Sequence, residues 1–222
     1  MPPPELNANL PPISTRGENA LQGNPLISTV RLDLDHSIMI WHIATNICDR
    51  HDDANAYNPS EERIASKKLS DFMMYLLVMK PSMISPNASF WFDAFSGYII
   101  NFCKGKNFAQ DDERTVIQKL LDNVKMQGTI HDQNSSSFDS YSKPLILTIL
   151  QSVENIVSDF SSRSIGWDKM KLVWLEMLHY AAIHCPHVCH LEELKEGGEF
   201  LTIHWRMVNY RNHAALNEDF EL

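Results

Sequence analysis

Positive charge is what this sequence most lacks. Nineteen Lys and Arg stand against 28 Asp and Glu, a formal net charge of −9. A surface of that sign repels nucleic acid and anionic headgroups, which need a basic face, and the two basic spots, Lys67-Lys68 and Lys104-Gly105-Lys106, are short. Nucleic-acid binding is therefore excluded as a general function. Cysteine is scarce too. Four thiols at 48, 103, 185 and 189 in 222 residues do not have the spacing of a small disulfide scaffold, and a chain this long does not need one. They are expected to be reduced, in the cytosol. Long apolar runs are missing: the best stretch, Phe72 to Met79, is far short of the ~20 residues of a membrane-spanning helix. The first twenty residues lack the charged start and apolar centre of a signal peptide. Glycine is sparse, at eight residues, and its only doublet, Gly197-Gly198, sits in neither a phosphate loop nor a dinucleotide fingerprint. It reads as a helix stop.

What the sequence does contain is helical periodicity. Residues 1–31, rich in Pro and Asn and without an apolar repeat, read as a disordered tail. A helical domain is expected over 32–214, followed by an acidic tail at 215–222. Its first helix, capped by Asp33 or Asp35, runs to about Asp49. Ile38, Trp41, Thr45 and Cys48 line one side and Ile40, Ile43, Ala44 and Ile47 another, which suits a central helix. Ser60 caps a second, from about Glu61 to Met79, with Ala65, Leu69, Phe72, Leu76 and Met79 as its buried stripe; Pro81 ends it. An aromatic helix follows over 89–103 and an amphipathic one over 111–125. After a polar loop at 128–137, Pro144 is placed in the first turn of a helix whose apolar face is Ile146, Ile149, Leu150, Val153, Ile156, Val157 and Phe160. Trp167 to Cys185 is the next helix, then a short one at 190–196 and a last one over about 199–212. Period-two alternation is nowhere sustained. The expected fold is all-α, an irregular bundle of about seven helices.

Candidate chemistry concentrates near the C-terminus. His179, His184, Cys185, His187, Cys189 and His190 offer six nitrogen or sulfur donors within twelve residues. Zinc takes four such donors, and Cys185, His187, Cys189 and His190 form the candidate zinc set. A distant second ligand pair is missing, so the competing reading is a buried cysteine at a helix end beside loop histidines. Glu176 and His179, three residues apart, share a helical face as in di-iron bundles, but such sites need a second E-x-x-H and two more glutamates, and neither is here. A Cys/His nucleophile lacks the strand-turn-helix that presents one. Enzymatic activity is thus not indicated. Most tryptophans are expected in the core. Phe90-Trp91-Phe92 is the exception: three consecutive aromatics cannot all point inward from one helix, which makes them the candidate partner surface.

Three segments carry a family resemblance: IMIWHIATNICDR (38–50), SKKLSDFMMYLLVMKPSMI (66–84) and VWLEMLHYAAIHC…HLEELKEGGEFLTIHW (173–205). Within the last, W-x-E-M-L-x-Y-A-A-x-x-C followed by G-G-E-x-L-T is the most specific. The chain resembles a plant family of domain-of-unknown-function proteins, numbers 4220 and 594. The resemblance implies a soluble, helical C-terminal half of proteins that carry membrane helices in their N-terminal half. It implies no activity, and so no catalytic residue. Two features depart from the pattern. No membrane half is visible, and the stretch after Thr202 is more polar than usual. A truncated member and a free-standing soluble relative both fit. The resulting expectation is a non-enzymatic, cytoplasmic helical module, at the cytoplasmic face of a membrane only through a missing half or a partner, and recognising an unidentified protein. Zinc binding at 185–190 is the alternative.

Overall fold

A computed structural model describes residues 15–53, 59–106, 111–129, 137–195 and 200–208, and their regular structure is helical, with no strand among them. The helices are α1 (Ile27–Val30), α2 (Leu34–Asp53), α3 (Glu61–Met79), α4 (Ala88–Cys103), α5 (Glu113–Thr129), α6 (Ser137–Ser161), α7 (Trp167–His184) and α8 (His187–Lys195). A 3₁₀ turn, Pro81–Met83, links α3 to α4. Residues 200–208 are also helical. None of these helices is long and apolar enough to cross a membrane.

The central position expected for the first helix is observed. α2 packs between α3 and α6 and also meets α1, α4 and α7; α3 packs on α7, and α5 on α6. Ile38, Met39, Ile40, Trp41 and Ala44 of α2 are all inaccessible to solvent or nearly so, each large side chain contributing roughly 1.5–3 kcal/mol of apolar burial. Trp41 and Trp174 are fully buried, so their indole N–H groups need partners. Threonines supply them. Trp174 Nε1 donates to Thr45 Oγ1 (3.1 Å), and that hydroxyl donates to the Trp41 carbonyl (2.6 Å). Trp41 Nε1 donates to Thr29 Oγ1 (3.0 Å), which donates to the Leu26 carbonyl (2.6 Å). Trp91, Trp167 and Trp205 are half-buried.

The structure corrects three expectations. First, order begins well before residue 32. Leu21, Leu26 and Val30 are buried in the core, and α1 lies within the stretch read as tail. What orders it is not local: Glu176 of α7 accepts the backbone N–H groups of Gly17 (2.9 Å), Asn19 (3.3 Å) and Ala20 (2.9 Å). Residues 1–14 and the acidic tail at 215–222 lie outside the described residues, as do Gly197 and Gly198.

Second, α3 has the expected bounds and the Ser60 cap, which accepts the Arg63 N–H at 3.2 Å, but its buried face is only partly the expected one. Leu76 of the expected stripe is buried, together with Arg63, Ser66, Ser70, Met73 and Leu77, while Met79 is exposed and Ala65, Leu69 and Phe72 sit at the edge. Small serines let α7 approach closely: Ser66 Oγ donates to the Glu62 carbonyl and lies 3.3 Å from that of Trp167. Arg63 donates from Nε to Asp49 Oδ1 and from Nη2 to the Asp49 carbonyl, both at 2.7 Å, fastening α3 to the end of α2.

Third, Pro144 stands inside α6 rather than in its first turn. The apolar face from Ile146 to Val157 is buried as expected, and the helix extends upstream of it to Ser137.

Candidate functional site

The candidate partner surface lies on α4. This helix carries one charged residue, Asp93, in sixteen, yet only Ala88 and Phe102 are buried. The three aromatics separate as one helical turn requires. Phe90 is 53% exposed. Trp91 turns down onto His36 of α2, edge-to-face at 5.5 Å. Phe92 lines an open groove of about 230 Å³ with Met39, Ile43, Met74, Phe95 and Ile99, whose walls are apolar throughout. Ile100, at the groove's end, is 58% exposed. Phe95, Ile99 and Ile100 were not singled out from the sequence; the near-absence of charge along α4 was the available signal.

The six donors near the C-terminus are each engaged in packing or hydrogen bonding. His190 is fully buried. Its Nε2 lies 3.0 Å from the Ala182 carbonyl and its Nδ1 3.0 Å from Thr202 Oγ1. A carbonyl only accepts, so Nε2 carries the proton and Nδ1 accepts the threonine hydroxyl. Neither nitrogen is left for a metal. Burial, chiefly, holds this imidazole below the usual histidine pKa. Its ring stacks on Trp205 at 4.7 Å, and His187 meets the same indole edge-on at 5.4 Å. Cys189 Sγ donates to the Ser82 carbonyl and Cys185 Sγ to that of Pro186, both at 3.7 Å. His184 Nδ1 lies 2.9 Å from the Tyr180 carbonyl. His179 Nδ1 and His204 Nε2 are 3.2 Å apart. No three of these donor atoms lie within 4.8 Å of one another. The structure therefore does not bring Cys185, His187, Cys189 and His190 together as a zinc set.

Two of the four thiols are unsuited to nucleophilic attack. Burial first, and then the neighbouring Cys189, pushes the Cys185 thiol up to about 12; Cys48 is likewise pushed to about 12, by burial and then by Asp52. Thiols at such values do not ionise near neutrality, and only the thiolate attacks. The E-x-x-H pair is accounted for differently. The carboxylate of Glu176 accepts three backbone N–H groups of the N-terminal segment. Gly17 belongs to the same device. Its φ is +124°, and a Cβ there would meet Val30 Cγ1 at 3.0 Å and Val173 Cγ1 at 3.1 Å.

α8 is held by the Lys80–Glu193 ion pair at 2.8 Å and by the His190 bonds. A second cleft, of about 660 Å³, opens between the end of α2 and the start of α7. Arg163, Lys169 and His51 line it together with Asp52 and Asp168, so its charges offset one another. Asp52 also accepts the Trp167 indole N–H at 2.7 Å.

These features define an all-helical protein whose conspicuous motif residues, Glu176, His190 and Thr202, make hydrogen bonds within its own structure, and whose most apolar exposed element is α4. Residues 161–212 match the model of the family DUF594, described as a protein of unknown function. The match spans α7, α8 and the helical stretch 200–208, and with them the whole W-x-E-M-L…G-G-E-x-L-T pattern. Neither a curated protein nor a solved structure matches the chain.

Proposed function

We propose that the chain is a non-enzymatic helical interaction module whose contact element is α4, acting in the cytoplasm. One observation carries the reading: an apolar helix with a single charged residue lies on the surface with Phe90 and Ile100 more than half exposed beside a wholly apolar groove. Exposed apolar surface of this kind is costly to leave in water and marks a contact site. Aromatics at the centre of such a patch supply most of the binding energy. The occupant is a protein segment that presents an apolar side chain to the groove between Met39, Met74 and Phe92. Methionine walls adapt to such a side chain more readily than branched ones. Four unpaired cysteines suit a reducing compartment.

The test compares protein captured by the native chain and by Phe90→Ser/Ile100→Ser. Both positions are exposed, so the double variant is expected to melt within a few degrees of the native protein and to lose its specific partner. Phe92→Ser, in the groove wall against the core, is expected to lower the melting temperature as well. An identical set of captured proteins for the native and double-variant chains would rule α4 out.

A further inference from the structure

We propose that Asp33, Asp35 and His36, at the start of α2, form a site for a divalent transition-metal ion. A carboxylate oxygen from each aspartate and one ring nitrogen of His36 lie within 4.8 Å of one another. Acidic residues at a helix start have an ordinary explanation, since the helix dipole favours negative charge there. Three features go beyond it.

Asp33 occupies the N-cap: its carbonyl accepts the Ser37 N–H at 3.0 Å. An aspartate in that place normally accepts a first-turn N–H with its side chain. Here the His36 N–H goes to Asp35 Oδ1 at 2.9 Å instead, and the Asp33 carboxylate accepts no hydrogen bond among the described residues. Asp35 is 1% exposed, and that one N–H is the only hydrogen bond its carboxylate receives among the described residues. A buried carboxylate so thinly supported is costly unless a cation or further donors compensate it. His36 is 6% exposed, its Nε2 is buried without a partner, and its imidazole makes no hydrogen bond among the described residues. Trp91 closes over the ring edge-to-face. Two under-used carboxylates and an unpartnered buried imidazole thus converge, and one cation would satisfy all three.

The donor set names the class of ion. Imidazole selects zinc and its neighbours over magnesium and calcium, and carboxylates extend the choice to manganese. With bonds of roughly 2.0–2.2 Å, the donors must draw together slightly, and exposed Asp33 is the one placed to move. Three protein donors leave a fourth position for water. This site is separate from the Cys/His cluster at 185–190 and does not depend on the α4 reading.

The experiment is calorimetric titration of Zn²⁺ into the full, untagged chain after chelator treatment. One ion per chain is expected. Asp33→Asn alters an exposed side chain that accepts no hydrogen bond among the described residues, and is expected to leave the fold intact; it is expected to weaken binding by about tenfold or more. His36→Gln is expected to abolish it. Cys185→Ser/Cys189→Ser is expected to leave affinity unchanged. The proposal is overturned if the native chain binds no zinc, if Asp33→Asn binds as the native chain does, or if binding follows the two cysteines.

Discussion

At the scale of single residues, this chain places its most conspicuous functional groups in structural service. Glu176 and His190 are residue types that a sequence reader assigns to metals or proton transfer, and here Glu176 accepts backbone N–H groups while His190 joins the Ala182 carbonyl to the Thr202 hydroxyl. The difference was not legible in the sequence, because the partners of Glu176 lie 156–159 residues away and those of His190 on two other elements. Removing the carboxylate in Glu176→Ala leaves three N–H groups without their acceptor. Charge-assisted hydrogen bonds are individually worth more than neutral ones, so the loss is expected to reach about 3 kcal/mol or more. For a chain of this size that lowers the melting temperature by roughly 6–12 °C. Glu176→Gln, which keeps an acceptor oxygen but not the charge, should fall between. A thermal melt of the two variants checks the order, and a melt unchanged in Glu176→Ala would show that the N-terminal segment is not held this way.

Among the elements, bounds were easier to read than faces. α3 runs from Glu61 to Met79 as its cap and proline predict, because those signals are local. Of its expected stripe only Leu76 is fully buried, because hydrophobicity marks what is apolar, whereas this interface selects for size. Ser66 and Ser70 bring α3 close to its neighbours, and the Ser70 hydroxyl sits 2.9 Å from His42 Nδ1. Ser70→Leu, an improvement by any hydrophobic count, is expected to cost about 1–3 kcal/mol through overpacking and to break the His42 bond. A denaturant midpoint equal to or above that of the native protein would refute close packing there. In α4 the aromatic triplet was legible as an anomaly, and the prediction that its members could not all face inward holds. Which one faces solvent was decided by the groove that α2 and α3 build beneath Phe92.

The molecule as a whole has a pH dependence that follows from its histidines. Burial, as the leading cause, lowers the pKa of His42, His190 and His204 below the usual value of 6.5. Around His42, Asp71 opposes the shift and Lys67 adds to it; His187 adds to it at His190, and His179 at His204. In the unfolded chain all three take up protons near pH 6.5, so between there and their folded values the unfolded state binds more protons than the native one. Stability from these groups is therefore complete above about pH 6.5 and declines as the pH falls below it. Melting temperatures measured from pH 7.5 to 5.5 should drop most steeply in the lower half of that range, and replacing His42 and His204 with Gln should flatten the curve. Sequence alone determined the class of fold, the helix bounds set by Ser60, Pro81 and Gly166, the central place of α2 and the DUF594 pattern, because periodicity and caps act within a few residues of chain. Tertiary structure decided that the N-terminal segment from residue 15 is ordered, that Glu176 accepts its backbone N–H groups, that His190 lies between the Ala182 carbonyl and the Thr202 hydroxyl, that Phe90 faces outward, and that Asp33, Asp35 and His36 converge. Each of these depends on distant residues meeting, or on which way a side chain points once its neighbours are packed around it.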